Sequence, residues 1–131
     1  MLDNIQRSEK TIAVILGLLI ERGIQTWRMV SEDVDIDNEL RPFFVPCFKW
    51  LVSEGIVGAE NILETTSGMV AVNPSLTSLG FVLLGENLNM EDGQIKLANA
   101  VEEVRTTQRS FSQAGDFCGG ILAGFVKSLA S

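Results

Sequence analysis

Near the N-terminus of this chain, apolar residues repeat at helical spacing. The repeat consists of Ile12, Ile15, Leu16 and Leu19. Residues three or four positions apart lie on one face of an α-helix. Ser8 can cap a helix that begins at Glu9, and Gly23 can end it in a left-handed conformation. We therefore predict a largely buried helix that runs from Glu9 until Gly23.

Two less regular segments follow this helix. Residues 24–30 fit either a short strand or an extended connector anchored by Trp27. Residues 31–40 alternate acidic and apolar side chains, a pattern that permits either an acidic loop or a short helix. The sequence leaves both alternatives open for each segment.

Prolines restrict the start of the next helix. Pro42 and Pro46 interrupt residues 41–47, and proline is tolerated best in the first turn of a helix. We therefore predict a helix over about residues 46–54, with its apolar residues facing inward and Gly55 at its end. These inward residues are Phe48, Leu51 and Val52.

The middle of the chain has the pattern of a β-hairpin followed by a helix. Residues 56–66 and 69–73 predict two strands joined at Ser67-Gly68, because glycine adopts a positive φ angle without penalty. Pro74 stops the second strand. Ser75 or Thr77 can start the following helix, which carries Leu79, Val82 and Leu83.

The last third of the chain predicts helices after a polar connector over residues 85–93. The first helix is defined by Ile95, Ala98, Val101 and Val104. Beyond Gly115, Asp116 can cap a last apolar segment. In this segment, large apolar residues recur at every fourth position and form one stripe along a helix. This stripe consists of Phe117, Ile121, Phe125 and Leu129.

Charge changes the picture of what such a chain binds. Acidic residues outnumber basic residues 17 to 10, and the net charge of -7 repels nucleic acid and anionic lipid unless a local basic patch exists. The chain has no histidine and no tyrosine. Because it also has no Ser-x-x-Lys motif, phosphate loop or nucleophile elbow, we expect no catalysis and no cofactor.

The two cysteines and the N-terminus indicate a cytoplasmic protein. Cys47 and Cys118 lie in apolar stretches without the spacing of a zinc site, which favours buried free thiols in a reducing compartment. The apolar run over residues 11–20 lacks a signal cleavage site and is shorter than a membrane span. We expect no secretion signal and no transmembrane helix.

Two sequence blocks carry a family resemblance. Residues 48–57 read FKWLVSEGIV and residues 76–84 read LTSLGFVLL. Together they resemble the winged helix-turn-helix superfamily typical of small bacterial regulators, over about residues 8–84. There the first block is the recognition helix running into the wing, and the second is the LTxxG entry to the next helix. The resemblance implies that residues 31–40 hold the second helix of this fold.

The charges depart from the family's DNA-binding members. Those members bring several basic side chains to the recognition helix and wing, whereas this chain offers Arg41 and Lys49 against three glutamates. The predicted second helix is the most acidic stretch of the chain. We therefore expect a scaffold that contacts proteins. The alternative is a dimeric DNA-binding transcriptional regulator, which would contact DNA through Arg41, Lys49 and Ser67.

The acidic stretch has one feature of a calcium loop. Asp33, Asp35 and Asp37 occupy alternate positions, as the first three ligands of such a loop do. However, Asn38 stands in place of the turn glycine and Phe44 in place of the bidentate glutamate. We therefore expect no metal site and interpret the stretch as a solvated or partner-facing surface.

The C-terminal tail is the second candidate contact surface. Gly120 and Gly124 form a small-xxx-small pattern that allows two helices to approach closely. Several glycines make the segment unstable as an isolated helix. The tail can dock on the chain's own core or pair with a second copy in a homo-oligomer, and membrane insertion is the least favoured alternative.

The sequence thus predicts a mainly α protein with a small β-hairpin, an α+β fold. We expect a winged-helix domain over residues 1–88 and a C-terminal helical extension over residues 89–131. The expected function is regulation or inhibition through a protein partner. The acidic stretch would favour a partner with a basic surface. The predicted interaction residues are Glu32, Asp33, Asp35, Asp37, Glu39, Phe117, Gly120, Ile121, Gly124 and Phe125.

Overall fold

The computed structural model describes residues 4–85, 87–90 and 93–106. These residues form α-helices and small antiparallel sheets, an α+β architecture as predicted. The predicted tail surface, with Phe117, Gly120, Ile121, Gly124 and Phe125, lies outside the described residues, as does Cys118.

Helix α1 covers Asn4–Arg22 and is the central helix of the fold. It begins before the predicted cap at Ser8, whose hydroxyl instead donates to the Asn4 carbonyl within the helix. Its end agrees with the prediction, because Gly23 has a φ of 66° and its N–H donates to the Leu19 carbonyl. The apolar face of α1 is buried against α2 (Arg41–Ser53) and α4 (Leu97–Thr106).

A short strand and a loop connect α1 to α2. Strand β1 covers Arg28–Val30. Of the segment predicted as strand or connector, residues 24–27 are therefore a connector and residues 28–30 are a strand. The acidic stretch contains only a 3-10 turn at Ser31–Asp33, and the loop alternative is therefore correct over residues 31–40. The second helix implied by the family resemblance is absent from this stretch.

Helix α2 begins five residues earlier than predicted. Pro42 occupies its first turn, and Pro46 lies inside the helix. Pro46 cannot donate a hydrogen bond to the carbonyl of residue 42, and its ring crowds that carbonyl. Burial of Phe44 and Phe48 favours the helix despite this cost. The helix ends as predicted before Gly55, whose φ is 79°.

The hairpin forms with a four-residue turn over residues 65–68. Its strands are β3 (Asn61–Glu64) and β4 (Met69–Val72), and β1 pairs with the other side of β4. The sheet order is therefore β1-β4-β3, antiparallel throughout. The single strand predicted over residues 56–66 is divided, because β2 (Val57–Gly58) pairs separately with β5 (Ser75–Leu76).

Helix α3 covers Ser78–Leu84 and begins at the predicted cap. The Thr77 hydroxyl accepts a hydrogen bond from the Gly80 N–H at 3.0 Å. Leu83 is buried as expected, whereas the side chain of Val82 is exposed. The helix therefore buries one side only.

The predicted connector contains a second hairpin. Strands β6 (Asn87–Met90) and β7 (Gly93–Lys96) pair with Leu88 opposite Ile95. Ile95, predicted to lie in the helix, belongs to β7, and α4 begins at Leu97. The predicted boundary between residues 88 and 89 falls inside β6, while Val101 of α4 is fully buried in the core that α1 forms.

Candidate functional site

The acidic loop, residues 31–40, follows the outer strand of the sheet. Ser31 anchors its start, because the buried Ser31 hydroxyl accepts a hydrogen bond from the Met69 N–H of β4 at 2.9 Å. Ile36 and Leu40 are buried and hold the loop to the core. The intervening acidic side chains are exposed.

Arg41 fixes the path of this loop from the start of α2. One guanidinium nitrogen, Nη2, lies 3.0 Å from the Val34 carbonyl and 3.4 Å from that of Ile36. The other, Nη1, lies 3.1 Å from the Ser31 carbonyl and 3.4 Å from that of Glu32. The cation thus satisfies carbonyls that a helix would have paired internally, which gives a physical reason for the missing second helix.

An open groove of about 700 Å³ lies between the acidic loop, β1 and α1. Asp33, Asp35 and Asp37 line one wall, and all three residues of β1 line its base. The opposite wall is a face of α1 with both apolar and charged side chains: Lys10, Val14, Leu18, Glu21 and Arg22. A concave surface of this size can hold a short peptide segment or a small molecule.

The groove lining carries four acidic side chains (Glu21, Asp33, Asp35 and Asp37) and four basic ones (Lys10, Arg22, Arg28 and Arg105), and some of these charges are engaged within the protein. Arg105 of α4 reaches the groove and pairs with Glu21 at 3.5 Å. Arg22 lies over the Trp27 ring, 4.4 Å from its centroid, a cation-π geometry. In contrast, the three aspartates form no ion pair within the described part of the chain. Their charges are available to a ligand.

The predicted acidic surface is therefore only partly one site. Asp33, Asp35 and Asp37 line the groove together, whereas Glu32 and Glu39 lie outside its lining. Glu32 accepts a hydrogen bond from the Ser67 hydroxyl at 2.7 Å. Glu39 lies 4.0 Å from Arg7. No group of three or more possible metal ligands is found among residues 4–85, 87–90 and 93–106.

The three residues expected to contact DNA in the alternative function are each engaged within the protein. Arg41 binds loop carbonyls, as described above. Lys49 is 3.2 Å from the Glu64 carboxylate of the hairpin, with both side chains about half exposed. Ser67, in the hairpin turn, donates a hydrogen bond to Glu32 of the acidic loop. Because each of these three side chains already has a partner within the protein, they do not form a polar surface that is free to bind DNA.

Cys47 is buried in α2, as the sequence predicted. Burial raises the pKa of its thiol from 9.0 to about 11, and a side-chain hydrogen bond with Ser8 partly opposes this shift. A thiol with this pKa is protonated at neutral pH and therefore a poor nucleophile.

Sequence reasoning missed the α1 and β1 walls of the groove. Val14 and Leu18 have the helical spacing of core residues, and the same spacing places them at the edge of the groove. The alternation of acidic and apolar residues over 33–37 is a period-2 pattern. That signal could have indicated an extended loop with its carboxylates on one side.

No helix in the part of the chain that the structure describes is both long and apolar enough to cross a membrane. Comparison with protein-family models, curated proteins and solved structures finds no match to this chain.

Proposed function

We propose that this protein is a non-enzymatic regulatory or inhibitory module that binds a basic segment of a protein partner in the groove. The observation that carries the proposal is that three exposed carboxylates, Asp33, Asp35 and Asp37, lie along one wall of a groove and form no ion pair with any described residue. Carboxylates in such a position attract lysine and arginine side chains and select against acidic partners.

The scaffold of this module is proposed to be a winged helix. The order helix, strand, helix and hairpin, with β1 pairing to the second hairpin strand, supports this assignment. The LTxxG block supports it as well. Thr77 caps α3, and Gly80 lies so close to the Ile56 carbonyl that a Cβ atom would not fit there. The extended acidic loop would replace the second helix of the family.

A protein partner is favoured over DNA by the internal contacts of the basic residues. Lys49 is paired with Glu64, and Arg41 is held by main-chain carbonyls. Each would have to leave its present partner before it contacted a phosphate. The net charge of -7 adds a repulsive field.

The proposal is tested with a fluorescent peptide in which lysine and valine alternate. We expect salt-sensitive binding to the full chain, weakened about two- to fivefold by Asp35→Asn, the range for one partly exposed ion pair. The matched control is Glu54→Gln, which changes the net charge equally but lies at the end of α2. Absent binding, or equal effects of the two variants, would overturn the proposal.

A mixed-sequence DNA duplex, titrated at low and at physiological salt, tests the alternative. We expect no tight binding at either concentration. Micromolar or tighter binding that weakens steeply with salt would instead overturn the preference for a protein partner in favour of DNA binding.

A further inference from the structure

Within the described residues, the outer edge of β1 pairs with no other strand, and the three residues of β1 line the groove. The Trp27 carbonyl accepts from the Asn73 N–H at 2.7 Å, and the β1–β4 register places Arg28 opposite Val72. Hydrogen bonding alternates along an antiparallel strand, so Met29 pairs with β4 while Arg28 and Val30 direct their main-chain groups away from it. Strand β1 has no neighbour on that side within the described residues.

Three main-chain groups point away from β4 as a result of this alternation. They are the N–H and C=O of Arg28 and the N–H of Val30, since the Val30 carbonyl begins the 3-10 turn. No hydrogen bond to these three groups occurs among residues 4–85, 87–90 and 93–106. An edge with unpaired donors and acceptors is a template for one additional strand.

The acidic loop faces this edge with a matching periodicity. Side chains over residues 33–37 alternate between exposed aspartates and more buried apolar residues, and Val34 has extended backbone angles, φ -73° and ψ 131°. In a β-strand, every second side chain points to the same side, about 7 Å apart. Aspartates at alternate positions therefore match a strand that carries basic side chains at alternate positions.

We propose that an extended basic segment of a partner protein adds as a strand to the outer edge of β1. Its main chain pairs with Arg28 and Val30, and its alternate lysine or arginine side chains meet Asp33, Asp35 and Asp37. The inference depends on the proposed function and specifies how the partner is held in the groove.

Charge complementarity to the wall formed by the three aspartates, rather than to the whole groove, favours this occupant. A second copy of β1 has the sequence RMV and would bring only Arg28 against the aspartates. Nucleic acid has no main-chain donors and acceptors with the spacing of a strand, and its charge has the same sign as that of the acidic wall. A peptide satisfies both the sheet edge and the carboxylates.

Amide hydrogen exchange of the full chain, with and without the lysine-valine peptide, tests the pairing. Before the addition of peptide, we expect the Met29 amide to be protected and the Arg28 and Val30 amides to exchange faster. Saturating peptide should slow exchange at Arg28 and Val30 about tenfold or more, with little change at Met29. Unchanged exchange at Arg28 and Val30 would overturn strand addition.

The same peptide with its backbone nitrogens methylated at alternate positions provides a test without any change to the protein. Methylation keeps the lysine charges but removes the donors that face β1. When the methylated positions are those facing β1, we expect about tenfold weaker binding, consistent with the loss of one or two hydrogen bonds. Equal affinity of the methylated and unmethylated peptides would contradict strand addition.

On the protein, Val30→Pro removes the exposed donor, and Val30→Ala serves as its control. The φ of Val30 is -102°, and its N–H is not used by the sheet, so proline requires a modest adjustment. We expect Val30→Pro to bind about tenfold more weakly than Val30→Ala. If Asp35→Asn weakens binding while proline and N-methylation have no effect, strand addition is wrong and the proposed function stands. If Asp35→Asn has no effect, the proposed function fails.

Discussion

Arg41 joins the start of α2 to the acidic loop through four main-chain carbonyls. Hydrogen bonds from a charged donor stabilise more than neutral ones, and three of these four are partly buried. No carboxylate among the described residues forms an ion pair with Arg41. The position of the acidic loop therefore depends on this cation and on buried apolar side chains, while the aspartates contribute their charge to the groove.

Replacement of Arg41 tests this role at the scale of one residue. We expect Arg41→Gln to lower the free energy of unfolding by about 1.5–3 kcal/mol, because partly buried carbonyls lose a charged donor. Lys49→Gln removes the same charge from an exposed ion pair and should cost less than about 1 kcal/mol. Urea unfolding measures both values. Equal losses would show that Arg41 has no special role in stability.

Cys47 gives the protein a pH-dependent stability. The pKa of its thiol is raised by burial to about 11 from 9.0. As pH rises through this window, the unfolded chain loses the thiol proton first, so the unfolded state binds fewer protons and stability falls. We expect the free energy of unfolding to decrease more steeply between pH 9 and 11 in the unmodified protein than in Cys47→Ala. Parallel slopes would contradict the raised pKa.

Local signals along the sequence predicted most elements, and contacts distant in sequence explain the differences. Gly23, Gly55 and Thr77 act at the ends of their helices as their residue types indicated. The sequence left residues 31–40 as either a loop or a short helix. The side chain that favours the loop, Arg41, lies outside this stretch. The early start of α2 depends on the burial of Phe44, which the prolines obscured.

The candidate site was predictable to a similar extent. The aspartates could be identified from their charge and spacing, because exposed carboxylates need no tertiary context. The α1 wall could not, because the apolar spacing of Val14 and Leu18 is the same for a core face and a groove face. The free edge of β1 also requires knowledge of strand pairing, which the short segment over residues 28–30 does not encode locally.

At the scale of one element, the close contact at Gly80 near the start of α3 can be tested by substitution. A Cβ atom at Gly80 would collide with the Ile56 carbonyl, which is main chain and cannot move aside easily. We expect Gly80→Ala to destabilise the protein by more than about 1 kcal/mol, although alanine is normally the better helix former by about that amount. Gly85→Ala, at the exposed end of α3, meets only ordinary contacts and should change stability by less than about 0.5 kcal/mol. Thermal unfolding compares the two variants.

At the scale of the whole molecule, α4 shares the core with the elements that precede it. Val101 is fully buried, and Arg105 links α4 to α1 through Glu21. The interface between α1 and α4 is among the most extensive between helices of the described chain. Residues 97–106 and the preceding elements are therefore expected to unfold together.

Truncation of Val101 tests this cooperativity. We expect Val101→Ala to lower the free energy of unfolding by about 2–3 kcal/mol through lost burial and a cavity, while the transition remains single. Val82→Ala on α3, which is 54% exposed, should cost less than about 0.5 kcal/mol. Unfolding is followed by circular dichroism and by tryptophan fluorescence. Transitions that differ between the two signals would show that α4 unfolds independently.

The way in which Arg41 holds the acidic loop has a consequence for engineering. Main-chain oxygen atoms are chemically the same in every residue, so the path of the loop does not require carboxylates at positions 33, 35 and 37. Other side chains can be grafted there on an unchanged scaffold. Lysines at these positions would reverse the proposed preference for ligand charge without redesign of the core.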